Sequence, residues 1–248
     1  MSEPVDGVPG RRGTAGAGGT PKRRLASRTS GEVADGPRAT LLVPLGATEQ
    51  HGPHLPLDTD TTLALAWADA VAARLPDSAV APALPYGSSG EHQAFPGTLS
   101  IGGPALEAVV IELTRSAAVT FDRVVFLSGH AGNAEPLQRA VERLRGEGHH
   151  VAHLVPTWPG REGVDAHAGR TETSLLLHIR PADVRTDRQA GGDTRPLAEI
   201  LPALRDGGVG AVSANGVLGD PAGADAEEGR ALFDDLVERA VAALTVEG

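Results

Sequence analysis

The segment 49–60, EQHGPHLPLDTD, concentrates side chains that bind metal ions or transfer protons. It holds one glutamate, two histidines and two aspartates within twelve residues. In extended backbone Glu49 and His51 point to the same side, because alternate side chains of a strand share a face. Asp60 lies at the start of a predicted helix, where its carboxylate can bridge two cations and face the helix N-terminus. The segment therefore predicts part of a metal site with oxygen and nitrogen ligands.

Two later clusters carry the same kinds of side chain. His130 lies in SGHAGN, directly after a predicted strand, and His167 and Glu172 lie in DAHAGRTETS. In open α/β sheets, sites form beyond the carboxyl ends of the strands, so His130 can lie at the same edge of the sheet as the first cluster. The chain has no cysteine, which excludes sulfur ligands, disulfides and catalytic thiols. A mixed histidine and carboxylate set suits Zn²⁺, Mn²⁺ or Fe²⁺ and does not discriminate among them.

Other polar residues are interpreted as structural, because a lone histidine or aspartate more often supports the fold than performs chemistry. Asp58 is interpreted as a helix cap and His54 as a support for its loop. His149 and His150 are expected at the surface, and His178 in a packed helix. The coincidence of the three clusters is harder to explain by packing alone.

The elements that must position these clusters follow from hydrophobic periodicity. Short apolar runs alternate with amphipathic segments, which predicts an α/β fold with a mostly parallel central sheet and helices on both faces. Strands are predicted at 39–45, 79–84, 123–127 and 150–156. Helices are predicted at 25–33, 61–75, 104–120, 134–145, 172–178 and 224–246, with a loop-rich stretch before the last of them.

Composition divides the chain into a tail and a body. Residues 1–24 are rich in Gly, Pro and Arg without an apolar period and predict a disordered basic tail, followed by a single domain over 25–248. Residues 1–38 carry a net +3 and the remainder −13, for a total of −10, which argues against nucleic-acid binding. The lack of a long apolar run and of a signal-peptide pattern predicts a cytoplasmic protein without a membrane partner.

Four motifs in order resemble those of the creatininase family of metal-dependent amidohydrolases. They are LLVPLGATEQHGPHLPLDTD (41–60), GEHQAFPGTLSI (90–101), SGHAGN (128–133) and DAHAGRTETSLLL (165–177). The stretch AVSANGVLGDPAGADAEEG (211–229) is similar to the mycofactocin-system branch of that family. Members of this branch are peptidases that trim a ribosomally made precursor peptide with a modified C-terminus. The resemblance implies a creatininase-like fold and a homo-oligomer.

The resemblance also implies a metal centre of two divalent ions per subunit, Fe²⁺ or Zn²⁺, or else Mn²⁺. Its ligands would be Glu49, His51, Asp60 and His130, with Asp60 as the bridge. Creatininase itself carries a further glutamate ligand two residues after the histidine of its GH pair, and this chain has Gly132 there. Glu172 is the candidate replacement, and this difference argues against creatinine as the substrate.

The expected reaction is hydrolysis of an amide near the C-terminus of the precursor peptide, which releases a fragment made from its final Val–Tyr pair. His167 would serve as a proton shuttle or an oxyanion partner, and Glu172 either as a metal ligand or as a base. Glu91 and His92 are expected to line the substrate side. Two alternatives stay open: hydrolysis of a small cyclic amide or formamide, and a non-enzymatic maturation scaffold. Motifs of serine hydrolases and dinucleotide-binding enzymes are not found in the sequence.

Overall fold

A parallel sheet forms the centre of the molecule. The structure, a computed structural model, describes residues 23–158 and 165–246. Within them the strands are β1 (Thr40–Leu45), β2 (Ser78–Val80), β3 (Arg123–Ser128) and β4 (Val151–Leu154), in the order β2-β1-β3-β4. All pairs are parallel, with Leu42 opposite both Val80 and Val125. The strands are short apolar runs because both faces of such a sheet are buried.

Helices cover both faces, which confirms the predicted fold class. They are α1 (Ser30–Ala34), α2 (Thr59–Arg74), α3 (Gly103–Ala117), α4 (Ala134–Gly146), α5 (Arg170–Ile179), α6 (Leu197–Gly207) and α7 (Ala226–Val246). On one face Leu106 of α3 and Leu137 of α4 pack on Phe126. On the other face Trp67 of α2 and Leu236 of α7 pack in the same core as Val125. Burial of these aliphatic and aromatic side chains stabilises the sheet between its helices.

Helix α6 lies inside the stretch that the sequence predicted to be loop-rich. Its apolar residues Leu197, Ile200 and Leu204 have helical spacing, and Ile200 packs in a small cluster with Leu218. Pro202 lies within the helix and obscured this pattern, because proline usually ends or kinks a helix. Strand β2 is also shorter than predicted.

The chain is attached to the sheet edge from Arg23 onward. The backbone N–H of Val80 donates to Arg23 O at 2.9 Å, and Arg24 pairs with Asp69 of α2 at 2.5 Å. The rest of the predicted tail, residues 1–22, lies outside the described residues. None of the described helices is both long and apolar enough to cross a bilayer.

Residues interpreted as structural have varied surroundings. His54 Nε2 lies 2.8 Å from Thr173 Oγ1, so it ties its loop to α5. Asp58 occupies the N-cap position of α2 without a capping hydrogen bond, and its carboxylate accepts from Arg180 Nη1 at 2.9 Å instead. His150 is exposed, and the half-buried His178 ring packs on Phe233.

The close contact of α7 with α5 leads to a stability prediction. Gly229 lies where an added Cβ would overlap the carbonyl oxygen of Ser174. We expect Gly229→Ala to lower the free energy of unfolding by about 1–3 kcal/mol, because overpacking forces backbone shifts. Urea unfolding followed by circular dichroism measures this change.

Gly31→Ala in the exposed helix α1 is the matched control, because an added Cβ there meets no atom within 4 Å. It should leave stability unchanged or raise it by up to about 1 kcal/mol. Equal unfolding free energies for the two variants would contradict the packing argument.

Candidate metal centre

The predicted ligands converge beyond the carboxyl edge of the sheet. The loop after β1 carries Glu49 and His51, and the residue pair after β3 ends in His130. Asp60 is the second residue of α2, and Glu172 is the third of α5. Because the strands are parallel, the loops that follow them meet at one edge, so residues distant in sequence are brought together.

Asp60 lies between two groups of ligand atoms. Its Oδ1 is 3.1 Å from His51 Nε2, and its Oδ2 is 3.5 Å from His130 Nδ1. Glu49 Oε2 is 3.3 Å from His130 Nε2, whereas Glu172 Oε2 is 3.9 Å from His51 Nε2. A carboxylate whose two oxygens face two different imidazoles has the placement expected of a bridge between two cations.

Three sets of side chains offer ligand atoms that lie within 4.8 Å of one another. They are Glu49 with Asp60 and His130, His51 with His167 and Glu172, and Glu49 with His92 and His167. The third set differs from the sequence prediction, which places His92 on the substrate side. His92 is buried, and its Nε2 lies 3.2 Å from Glu49 Oε1. Glu91 remains partly exposed, with its carboxylate 3.5 Å from His130 Nε2.

The buried carboxylate oxygens fit a cation site. Both oxygens of Glu49 and Oδ2 of Asp60 accept no hydrogen bond from the described residues. An acceptor that is buried and unpaired costs about 1–3 kcal/mol, and a charged acceptor costs more. Imidazole nitrogens can also bind a metal, so a shared divalent cation would satisfy the oxygens and the nearest nitrogens together.

Burial and mutual charge shift the acidities of the carboxylates. Burial, with a contribution from the charge of Asp60, raises the pKa of Glu49 to about 7. Burial likewise raises the pKa of Glu172 to about 7. Burial also disfavours the Asp60 anion, but the adjacent His51 holds the pKa of Asp60 below its usual range. Asp60 is thus the carboxylate that the cluster keeps ionised.

The histidines divide into two groups. Burial disfavours the charged forms of His51 and His130, yet Asp60 and Glu49 raise the pKa of each to about 10. Burial lowers the pKa of His92 to about 4 and that of His167 well below its usual range. Protons on His51 and His130 therefore balance the carboxylates where no cation does, and cation binding would release protons.

Asp165 holds Glu172 in place through the first turn of α5. Asp165 Oδ2 accepts from the backbone N–H of Thr171 at 2.7 Å. Glu172 Oε2 in turn accepts from the backbone N–H of Ala168 at 2.6 Å, and its side chain is 19% exposed. The carboxylate is therefore fixed beside His51 while it remains open to the cavity.

A cavity of about 960 Å³ opens onto the cluster. Its floor includes Asp60, His130, His167 and Glu172, and its apolar wall includes Leu201 and Leu204 of α6. At Gly132 an added Cβ would overlap His130 Nε2 and lie 2.6 Å from Glu91 Oε1. It would also lie 2.7 Å from the backbone oxygen of Ser88, so a larger residue at position 132 would require this loop to shift.

Sequence reasoning missed Gln50 and the wall supplied by α6. Gln50 is buried between Glu49 and His51, and its amide nitrogen contacts both His92 and His167. Its position between two predicted ligands was the available signal. The wall from α6 was missed together with the helix itself.

Comparison with known proteins identifies the family of the chain. The family model described as "Creatininase: Creatinine amidohydrolase" matches residues 26–244. The chain is 53% identical over 210 residues to the "Mycofactocin precursor peptide peptidase" of Mycobacterium ulcerans (strain Agy99), covering 82% of this chain and 83% of the relative. It is 50% identical over 226 residues to the protein of the same name from Mycobacterium tuberculosis (strain ATCC 25618 / H37Rv), covering 88% of each.

Solved creatininase structures share the fold. A creatininase mutant described as "Zn-Zn type" superposes with a TM-score of 0.75 at 28% identity, covering 92% of this chain and 99% of that one. The structure titled "Creatininase Mn" gives a TM-score of 0.73 at 28% identity, covering 91% and 98%. The chain therefore belongs to the creatininase family and is a hydrolase that acts on amide bonds.

Proposed function

We propose that this chain is a metal-dependent peptidase that cleaves an amide bond near the C-terminus of the modified mycofactocin precursor peptide. The released fragment would derive from the final Val–Tyr pair and serve the biosynthesis of a redox cofactor. The observation that carries the proposal is the identity of 53% over 210 residues and of 50% over 226 residues to two peptidases of that name. A cytoplasmic homo-oligomer remains the expectation.

The position of Asp60, with one oxygen toward His51 and the other toward His130, supports a centre for two divalent ions. Glu49 and His130 would hold one ion, His51 and Glu172 the other, and Asp60 would contact both. Fe²⁺, Zn²⁺ and Mn²⁺ all accept such ligands, and the chain's own donor set does not choose among them. When bound, the ions supply Lewis acidity, which activates water and polarises the scissile carbonyl.

His167 is suited to deliver a proton to the leaving amine. Its Nε2 lies 2.8 Å from the backbone oxygen of Gln50, which fixes the ring, and the ring borders the cavity. Burial, with the charges of His51 and His92, keeps the pKa of His167 low, so the ring is neutral at rest and releases an acquired proton readily. We assign Glu172 as a ligand, because its carboxylate is held beside His51 by the Ala168 N–H.

The cavity supports a peptide rather than a small ring as the substrate. Its volume of about 960 Å³ lies at the upper end of the range of about 300–1,000 Å³ for small-molecule pockets. Glu91 and the apolar residues of α6 line the approach to the ligand cluster. Gly132 adds to this room, because it places no side chain between the cavity and His130.

The first prediction from this proposal concerns the substrate. The protein loaded with Fe²⁺, Zn²⁺ or Mn²⁺ should release a C-terminal fragment from the modified precursor peptide, because its cavity admits a peptide chain over the ligand cluster. Liquid chromatography with mass spectrometry detects the fragment, and the unmodified precursor peptide is the matched control.

Two outcomes would contradict the proposal. Turnover of creatinine or a formamide without peptide cleavage would support the small-amide alternative. Failure to hydrolyse any of these amides with two ions bound per chain would support the maturation scaffold.

The second prediction concerns the bridge. Asp60→Asn removes the charge that faces both His51 and His130, so the protein should lose at least one of two bound ions. Activity should fall by more than about 100-fold, since residues that only orient metal ligands already cost about 10–100-fold. Inductively coupled plasma mass spectrometry gives the number of ions per chain.

Asp58→Asn is the matched control, because this carboxylate lies two residues earlier and is 50% exposed. The control should keep both ions and its activity. Retention of two ions by Asp60→Asn would show that Asp60 is not the bridge.

A further inference from the structure

Asn133 is a buried asparagine at the point where the loops after β1, β2 and β3 meet. It occupies the N-cap position of α4, where an asparagine side chain usually accepts a hydrogen bond from the first turn of the helix. Here the side chain makes no capping hydrogen bond and is fully buried. Capping of α4 therefore does not explain this residue, and its amide is directed into the protein instead.

The amide of Asn133 forms hydrogen bonds with three separate segments. Its Oδ1 accepts from the backbone N–H of Ser88 at 2.8 Å, and its Nδ2 donates to the carbonyl oxygen of Gly46 at 3.1 Å. Nδ2 also donates to Ser128 Oγ at 3.2 Å. A backbone N–H can only donate and a carbonyl oxygen can only accept, so these partners fix the orientation of the amide. Both hydrogens of the amide nitrogen are used.

Two of the partners connect Asn133 to the ends of the central strands. Gly46 directly follows β1 and lies three residues before Glu49. Ser128 is the last residue of β3 and lies two residues before His130. Ser128 Oγ donates its single hydrogen to the backbone oxygen of His130 at 2.9 Å, so it accepts from Asn133. One amide thus joins the backbone segments that lead to Glu49 and His130.

The third partner belongs to the loop after β2, which carries Glu91 and His92. Ser88 lies three residues before Glu91. Asn133 holds the N–H of Ser88, and the carbonyl oxygen of Ser88 lies 3.0 Å from His130 Nε2. The loop after β2 is therefore held against the His130 ring through a residue that Asn133 fixes.

The three segments lie so close together that a side chain could not enter between them. An added Cβ at Gly87 would lie 2.5 Å from Asn133 Oδ1 and 2.7 Å from the carbonyl oxygen of Gly46. A buried backbone donor or acceptor that loses its partner is destabilising. We therefore expect the loops to separate and admit water when the amide is removed.

We propose that Asn133 is a positioning residue that holds the three loops together, so that Glu49, His130 and the loop with His92 are in place before a cation binds. Hydrogen-bonding groups behind metal ligands orient those ligands, and their loss lowers metal affinity about 10–100-fold. The inference rests on the proposed metal centre, and it is independent of which amide is the substrate.

Asn133→Ser tests this role. Serine is also favoured at an N-cap, so α4 can begin at the same residue, but its shorter side chain cannot reach both Ser88 and Gly46. Competition with a chelator for Zn²⁺ should show an affinity about 10–100-fold weaker than in the parent protein. With the modified precursor peptide, kcat should fall in a similar range while KM stays within about twofold, because Asn133 does not line the cavity.

Ser128→Ala is a second and milder variant. It removes the hydroxyl that joins Asn133 to the backbone of His130 and leaves the bonds to Ser88 and Gly46 in place. Its Zn²⁺ affinity should fall by a smaller factor than that of Asn133→Ser.

Leu144→Ala is the matched control for a general loss of stability. Leu144 is fully buried in the core near the other end of α4. Its truncation should lower the midpoint of urea unfolding, because a cavity is left in the core, and should leave the Zn²⁺ affinity unchanged.

Unchanged Zn²⁺ affinity in whichever of Asn133→Ser and Ser128→Ala is folded by circular dichroism would overturn the positioning role. An equal loss of affinity in Leu144→Ala would also overturn it, because the effect would then follow from general destabilisation. Weakened Zn²⁺ binding by Asn133→Ser without any peptide cleavage by the parent would support the positioning role and contradict the proposed substrate. Failure of the parent to bind Zn²⁺ would overturn the proposed centre and this inference together.

Discussion

The burial of two carboxylates with unpaired oxygens is the constraint on which the rest of the site depends. Glu49 and Asp60 lie inside the protein, and three of their four oxygens accept no hydrogen bond from the described residues. Such groups are tolerated only where positive charge is close. The parallel sheet meets this requirement, because the loops after β1 and β3 deliver His51 and His130 to the same edge as the N-terminus of α2. A divalent cation would replace the protons of these rings and satisfy the oxygens as well.

The same constraint sorts four buried histidines into two chemical roles. His51 and His130 face ionised carboxylates, and their pKa values rise to about 10. For His92 and His167, burial and the charges of the neighbouring rings lower the pKa of each. Neutral rings have a choice of tautomer that charged rings lack, so hydrogen-bond partners matter most for this second pair. Gln50 contacts both members of it. One residue type thus performs different tasks because its environment differs.

The sequence was sufficient to locate β1 and β3 by their apolar runs. The residue types after these strands made Glu49, His51 and His130 candidate ligands, because position beyond a parallel strand is a local property of the chain. Helix α6 was missed because Pro202 interrupts its pattern. Gln50 was missed for another reason. Its contacts with Gly216, His92 and His167 form only in the tertiary fold. Local sequence patterns therefore reveal candidate ligands such as Glu49 more readily than a buried neighbour such as Gln50.

The floor and the wall of the cavity come from different parts of the fold. The floor is formed by residues from the carboxyl edge of the sheet, where small displacements would disturb the ligand distances. The wall comes from α6, which lies outside the sheet and packs on neighbouring loops through a small separate cluster that contains Ile200 and Leu218. Changes in α6 can therefore alter the space above the ligands without moving Asp60 or His130. Gly132 belongs to the floor, since a side chain there would collide with both His130 and Glu91. The sheet thus positions the ligand cluster, whereas α6 shapes the cavity above it.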